Sequence, residues 1–101
     1  MQDPRSRRRL NKPALLSTLV ALGQQIRKVR QTRGISQEGF AHEAGISRAY
    51  YSGVERGERN VAALNLMRIA AALQVEVGEL FPKSEVFVGL LDRSAAPGDE
   101  E

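Results

Sequence analysis

The sequence predicts an all-α protein of five helices, with two short helices joined by a four-residue connection near its centre. Three observations carry this reading. Apolar residues recur at intervals of three and four along most of the chain, serine stands just before two of the short periodic runs, and glycine closes three of the runs. Only one stretch, SEVFVGLL at 84–91, has partial alternation and β-branched character, and it reads as either a strand or a short helix.

The elements follow in chain order. Residues 1–12 are polar and basic and read as a disordered arm. Pro13 opens the first helix, where its missing N–H is not needed. Leu15, Leu19, Leu22, Ile26 and Val29 then form one apolar stripe, Arg27, Lys28, Arg30 and Arg33 lie mostly off it, and Gly34 ends the run. Ser36 caps a second helix whose narrow apolar face is Phe40, Ala41 and Ala44. Gly39 inside that helix should weaken it by roughly 0.5–1 kcal/mol. Gly45 closes it, and AGIS is the whole connection to the next helix. A glycine in so short a link between two helices is the expected mark of a helix-turn-helix, though many helical hairpins share it. Ser47 caps the third helix, about residues 47 to 56, with Tyr51 and Val54 turned inward and the Tyr51 hydroxyl expected near the rim. Gly57 stops it and GERN turns the chain. In LNLMRIAAAL, Leu66, Ile69, Ala70 and Leu73 share a face, and EVGELF adds one or two helical turns with Val77, Leu80 and Phe81 before Pro82. The last ten residues are acidic and read as a disordered tail.

Composition narrows the function classes. The chain of 101 residues suits one small domain. It has no cysteine, which excludes disulfides and thiolate metal sites and fits a reducing cytoplasm. No apolar run approaches the roughly 18 residues of a membrane span, and the basic start is not followed by the apolar core of a signal peptide, so neither is expected. The net charge of +3 is unevenly spread: residues 1–12 carry +4, residues 24–59 carry +3 and residues 60–101 carry −4. A polyanionic partner is therefore expected on the front two-thirds of the chain.

The stretch ISQEGFAHEAGISRAYYSGVERGERNVAALNLMRIAAALQVEVGELF resembles the Cro/C1-type (Xre-like) helix-turn-helix family of bacterial and phage transcription regulators. The features that carry the resemblance are Ser36-Gln37, Ala41, Gly45, Ile46, Val54, Glu55 and Gly57, followed by RIAAAL and GELF, over roughly residues 20 to 82. SRAYYSGVERGERN also resembles the controller proteins of restriction–modification systems, through its Arg-x-Tyr-x-Ser-Gly-x-Glu-Arg run. The resemblance implies a compact lambda-repressor-like domain of five helices over 13–82, with extensions on both sides. It also implies a sequence-specific regulator that binds a pseudo-palindromic double-stranded operator as a homodimer, with the third helix in the major groove.

At 100° per residue, Ser47, Arg48, Ala49, Ser52 and Gly53 fall on the side of the third helix away from Tyr51 and Val54. Small residues and one long guanidinium suit a groove about 12 Å wide, and an arginine fork matches the paired acceptors of guanine. Arg48, Ala49, Ser52 and Gly53 are thus the expected base-reading set. Gln37 and Ser47 at helix starts, with Tyr50, Arg56 and Arg59, are the expected phosphate contacts. For Tyr50, packing at the helix edge is the alternative; for Arg56 and Arg59 it is a surface ion pair. The resemblance further implies an Arg30–Glu55 ion pair with a purely structural role. Val77, Leu80, Phe81, Val86, Val88 and Leu90 are the candidate dimer surface, with 84–91 as its C-terminal part, and the RSRRR arm is a candidate for extra DNA contacts. The sequence departs from the family pattern at Gly39, and at Ala62 and Ala63, where a capping serine and a leucine are common.

No catalytic constellation is present. His42 is the single histidine and reads as a surface residue; Glu38, His42 and Glu43 make a poor metal site. No enzyme activity, cofactor, membrane contact or small-molecule effector is expected, and the location expected is the cytoplasmic nucleoid. The competing reading keeps the fold but makes it a protein-interaction module, antitoxin-like or coactivator-like, with DNA contact secondary.

Overall fold

The structure, a computed structural model, describes residues 11–91. Its elements are α1 (Lys12–Thr32), α2 (Gln37–Ala44), α3 (Arg48–Glu55), α4 (Ala63–Leu73), a 3₁₀ turn at Val77–Leu80, α5 (Ser84–Phe87) and a second 3₁₀ turn at Val88–Leu90. The ambiguous 84–91 stretch is thus helical for most of its length. The EVGELF segment forms a single helical turn of the 3₁₀ type, held by a capping box in which Glu76 and Glu79 exchange backbone and side-chain bonds. Among the described residues, no helix is long and apolar enough to cross a membrane.

Local chemistry sets the helix boundaries. Asn11 caps α1, its Oδ1 accepting from the Ala14 N–H at 3.2 Å, so Lys12 belongs to the helix and not to the arm. Ser36 and Ser47 cap α2 and α3, accepting from the Gly39 and Tyr50 N–H groups at 3.0 and 3.1 Å. Gly45 adopts the left-handed conformation (φ 73°) that closes α2, and the Ile46 N–H donates to the Ala41 carbonyl at 2.9 Å. Ile46 then folds back onto the core, which fixes the angle of the turn. A Cβ on Gly39 would meet only the Ser36 Oγ, at 3.0 Å, so this glycine serves no close approach between elements.

Residues from all four longer helices and the first 3₁₀ turn meet in one core: Ile26, Phe40, Ala41, Ala44, Tyr51, Val54, Leu66, Ile69, Ala70, Leu73 and Leu80. The Phe40 and Tyr51 rings lie 5.0 Å apart with a 50° tilt, which locks α2 to α3. Fully burying each large apolar side chain here contributes about 1.5–3 kcal/mol. The C-terminal segment packs on the first turns of α1, and the Asn11 N–H donates to the Leu90 carbonyl at 2.8 Å.

The start of α4 has no side-chain cap, because Ala62 holds the capping position. Ala62→Ser is expected to raise stability by about 1 kcal/mol, read as a shift of roughly 4–8 °C in the thermal midpoint of a domain this size.

Candidate nucleic-acid interface

The interface is built on the short α2–α3 hairpin. Both helices are units of about two turns, too short to be stable alone, so their positions depend on what anchors them to α1. That anchor is Arg30, buried on α1. Its Nε and Nη2 donate to Glu55 Oε2 and Oε1 at 2.6 and 3.0 Å, and its Nη1 donates to the Ile35 carbonyl at 2.7 Å. One guanidinium therefore holds the chain entering α2 and the last residue of α3.

Gln37, at the first turn of α2, adds its Nε2 to Glu55 Oε1 at 3.0 Å. Burial alone would raise the Glu55 carboxyl, but Arg30, the Tyr51 hydroxyl and Gln37 together bring it below the usual glutamate value. The Tyr51 hydroxyl is fully buried beside this pair rather than at the rim, and it lacks a well-formed hydrogen bond. Burial, and then the neighbouring Glu55 charge, push its ionisation well above the ordinary tyrosine value.

Arg48 and Ala49 are exposed on the first turn of α3, next to the Ser47 cap. Ser52 is half-buried, and its Oγ accepts from Arg56 Nη1. The same arginine donates Nε and Nη2 to Glu58 Oε2 and Oε1, each at 3.0 Å. Gly53 corrects the sequence reading: it is buried, and a Cβ there would meet the Arg59 side chain at 3.0 Å. Arg59 lies across that position, with its guanidinium carbon 5.7 Å from the centre of the Tyr50 ring. Tyr50 is half-buried against the core, so one side chain both packs and supports a cation. Arg27, Arg30, Gln37, Ser52, Glu55 and Arg56 line a polar hollow of about 410 Å³ where α1, α2 and α3 meet.

A second correction concerns Leu80. It is completely buried in the core and has no surface to offer a partner. Val77, Phe81, Val86 and Val88 are exposed, and Leu90 is half-buried in an apolar groove with Thr18, Leu22, Phe81, Pro82 and Phe87. The RSRRR arm and the acidic tail lie outside the described residues.

The sequence does not single out three residues of this region, Gly23, Arg27 and Glu58, and it marks Gly57 only as a helix stop. Arg27 was seen only as a charge off the stripe, and Glu58 only as part of a turn. Gly23 and Gly57 sit where α1 crosses the end of α3. A Cβ on Gly23 would lie 2.4 Å from the Val54 carbonyl oxygen, and one on Gly57 would lie 2.6 Å from the Val20 Cα. A glycine in a helix interior was the available signal for Gly23, since it costs stability unless something needs the space.

Comparison with known proteins agrees with this geometry. The family model for the helix-turn-helix matches residues 26–80. The control protein C.MunI of Mycoplasma sp is 39% identical over 67 residues, which is 65% of this chain and 90% of that protein. The crystal structure of the restriction-modification controller protein C.AhdI from Aeromonas hydrophila is similar with a TM-score of 0.62 and 48% identity, over 62% of this chain and 96% of that one. The structure of the biofilm master regulator SinR in complex with DNA is similar with a TM-score of 0.57 and 33% identity, over 58% and 95% of the two chains. The chain belongs to the helix-turn-helix family, on the Cro/C1-type branch that its sequence resembles.

Proposed function

We propose that the protein is a sequence-specific, double-stranded DNA-binding transcription regulator of the controller type, acting as a homodimer on cytoplasmic DNA. The carrying observation is the outer surface of α3. Its exposed first turn offers Arg48 and Ala49, and its far end offers Arg56 and Arg59. A helix inserted by its N-terminal end would bring Arg48 to a guanine edge and Ala49 to a thymine methyl. Gln37, Ser47, Tyr50, Arg56 and Arg59 would meet the backbone on either side. Ser52, held by Arg56, is a less direct reader than Arg48, and Gly53 acts by giving Arg59 room.

The kinship with controller proteins and with a regulator solved on DNA supports this reading. Two copies would set their α3 helices about 34 Å apart on a pseudo-palindrome. Val77, Phe81, Val86, Val88 and Leu90 are the proposed dimer surface, now without Leu80.

The test is selection of random duplex DNA by the purified protein, with binding of the winners measured across salt concentrations. A two-fold symmetric site whose affinity falls steeply with salt is the expected result. Arg48→Ala should then cost about 1–3 kcal/mol of binding and relax preference at one base pair of each half-site. Weak, salt-sensitive binding to every sequence would favour a protein-docking role instead.

A further inference from the structure

We propose that Glu58 sets the DNA affinity of this protein by competing with a backbone phosphate for Arg56. The inference rests on the DNA-binding reading above and adds to it a residue that weakens binding.

The polar hollow at the α1–α2–α3 junction is lined by three arginines, Arg27, Arg30 and Arg56, together with Gln37, Ser52 and Glu55. Its charges are unequally available. Arg30 is spent on Glu55 and the Ile35 carbonyl, and the Gln37 amide nitrogen also faces Glu55. Arg27 is exposed and makes no ion pair among the described residues. Arg56 is the other cation at the rim, and its fork is taken on both edges: Nε and Nη2 by the Glu58 carboxylate, Nη1 by the Ser52 hydroxyl.

A guanidinium binds carboxylate and phosphate with the same two-pronged geometry, so the two anions exclude each other on that edge. Glu58 presents that geometry from two residues along the chain, in the turn that follows α3. Both side chains are more than half exposed, at 55% and 59%, so the pair contributes little to folding. Its position is what matters. When a phosphate takes Arg56, the released Glu58 carboxylate is left within a few ångströms of the incoming negative charge, and water screens so short a distance only in part. Binding therefore loses one contact's worth of counterion release and gains a repulsion, and both effects end if Glu58 is neutral.

The experiment uses the full chain and the duplex recovered by selection. Glu58→Gln is expected to bind it about three- to tenfold more tightly, with the slope of log affinity against log salt steeper by up to about one. Its thermal midpoint should stay close to that of the parent, as for any exposed pair. The same change in an Arg56→Gln background should alter affinity by less than about twofold, because the contested guanidinium is gone. Unchanged or weaker binding by Glu58→Gln overturns the proposal. An equal gain in both backgrounds also overturns it, since Glu58 would then act only through net charge. Failure of the parent protein to bind any duplex appears in the parent alone and overturns the DNA-binding reading together with this one.

Discussion

Gly23→Ala is expected to cost about 3 kcal/mol of stability or more, and to impair DNA binding beyond the loss of folded protein. An added methyl would lie 2.4 Å from the Val54 carbonyl oxygen and 2.5 Å from that of Glu55. Both are backbone atoms in the last turn of α3, so no side-chain rotation relieves the contact. The helices must move apart instead, and overpacking of this kind typically costs 1–3 kcal/mol, with backbone clashes at or above the upper end. Separation would also tilt α3, the helix proposed to enter the groove, and would stretch the bonds from Arg30 to the Glu55 side chain. Chemical denaturation measures the first effect, and affinity for the selected duplex, corrected for the folded fraction, measures the second. Gly78→Ala is the control. A Cβ there meets nothing within 4 Å, and its stability should change by less than about 0.5 kcal/mol. If the two variants behave alike, the close crossing of α1 and α3 is not a feature of the protein in solution.

Periodicity and capping made most of the architecture legible. Ser36 and Ser47 announce the starts of α2 and α3, and the inward residues of α2, α3 and α4 are fully or nearly buried as their spacing requires. Such signals are local, so a single sequence carries them. Leu80 and Gly53 were misread because a helical wheel assigns faces without knowing what lies over them. The 3₁₀ turn directs Leu80 into the core, and the returning chain lays Arg59 across Gly53. The same limit hid Gly23, whose partner lies about thirty residues away in sequence. A surface ion pair was the alternative reading of Arg56, but its partner Glu58 was not legible, because a pair two residues apart in a turn follows neither helical nor strand spacing. The Arg30–Glu55 contact was available only through family resemblance, since nothing in the spacing of two charges 25 residues apart singles them out.

Breaking that contact from one side should be the most damaging polar substitution in the fold. Glu55→Ala leaves a buried guanidinium without its carboxylate, and Arg30→Met leaves a buried carboxylate with the Gln37 amide but without its bidentate cation. Each is expected to cost about 3–5 kcal/mol. Much of that cost is the stranded charge rather than the lost attraction, so Arg30→Met with Glu55→Leu should be less destabilising than the single changes add up to. The pair also predicts how stability depends on pH. The Glu55 carboxyl is held below its ordinary value in the folded state, so the unfolded chain takes up its proton first. The pair's contribution is therefore fully present above the ordinary glutamate value, about 4.3, and is lost as pH falls through the lower folded value. Denaturation midpoints taken from neutral to acid pH should decline in that window for the parent and less steeply for the double variant. If the two acid limbs are parallel, the acid sensitivity lies in other carboxylates. The double variant separates two roles that the structure joins in one contact. If it folds but binds the selected duplex poorly, the pair and Gln37 set the angle of α3 for the groove, which apolar packing of similar volume does not reproduce.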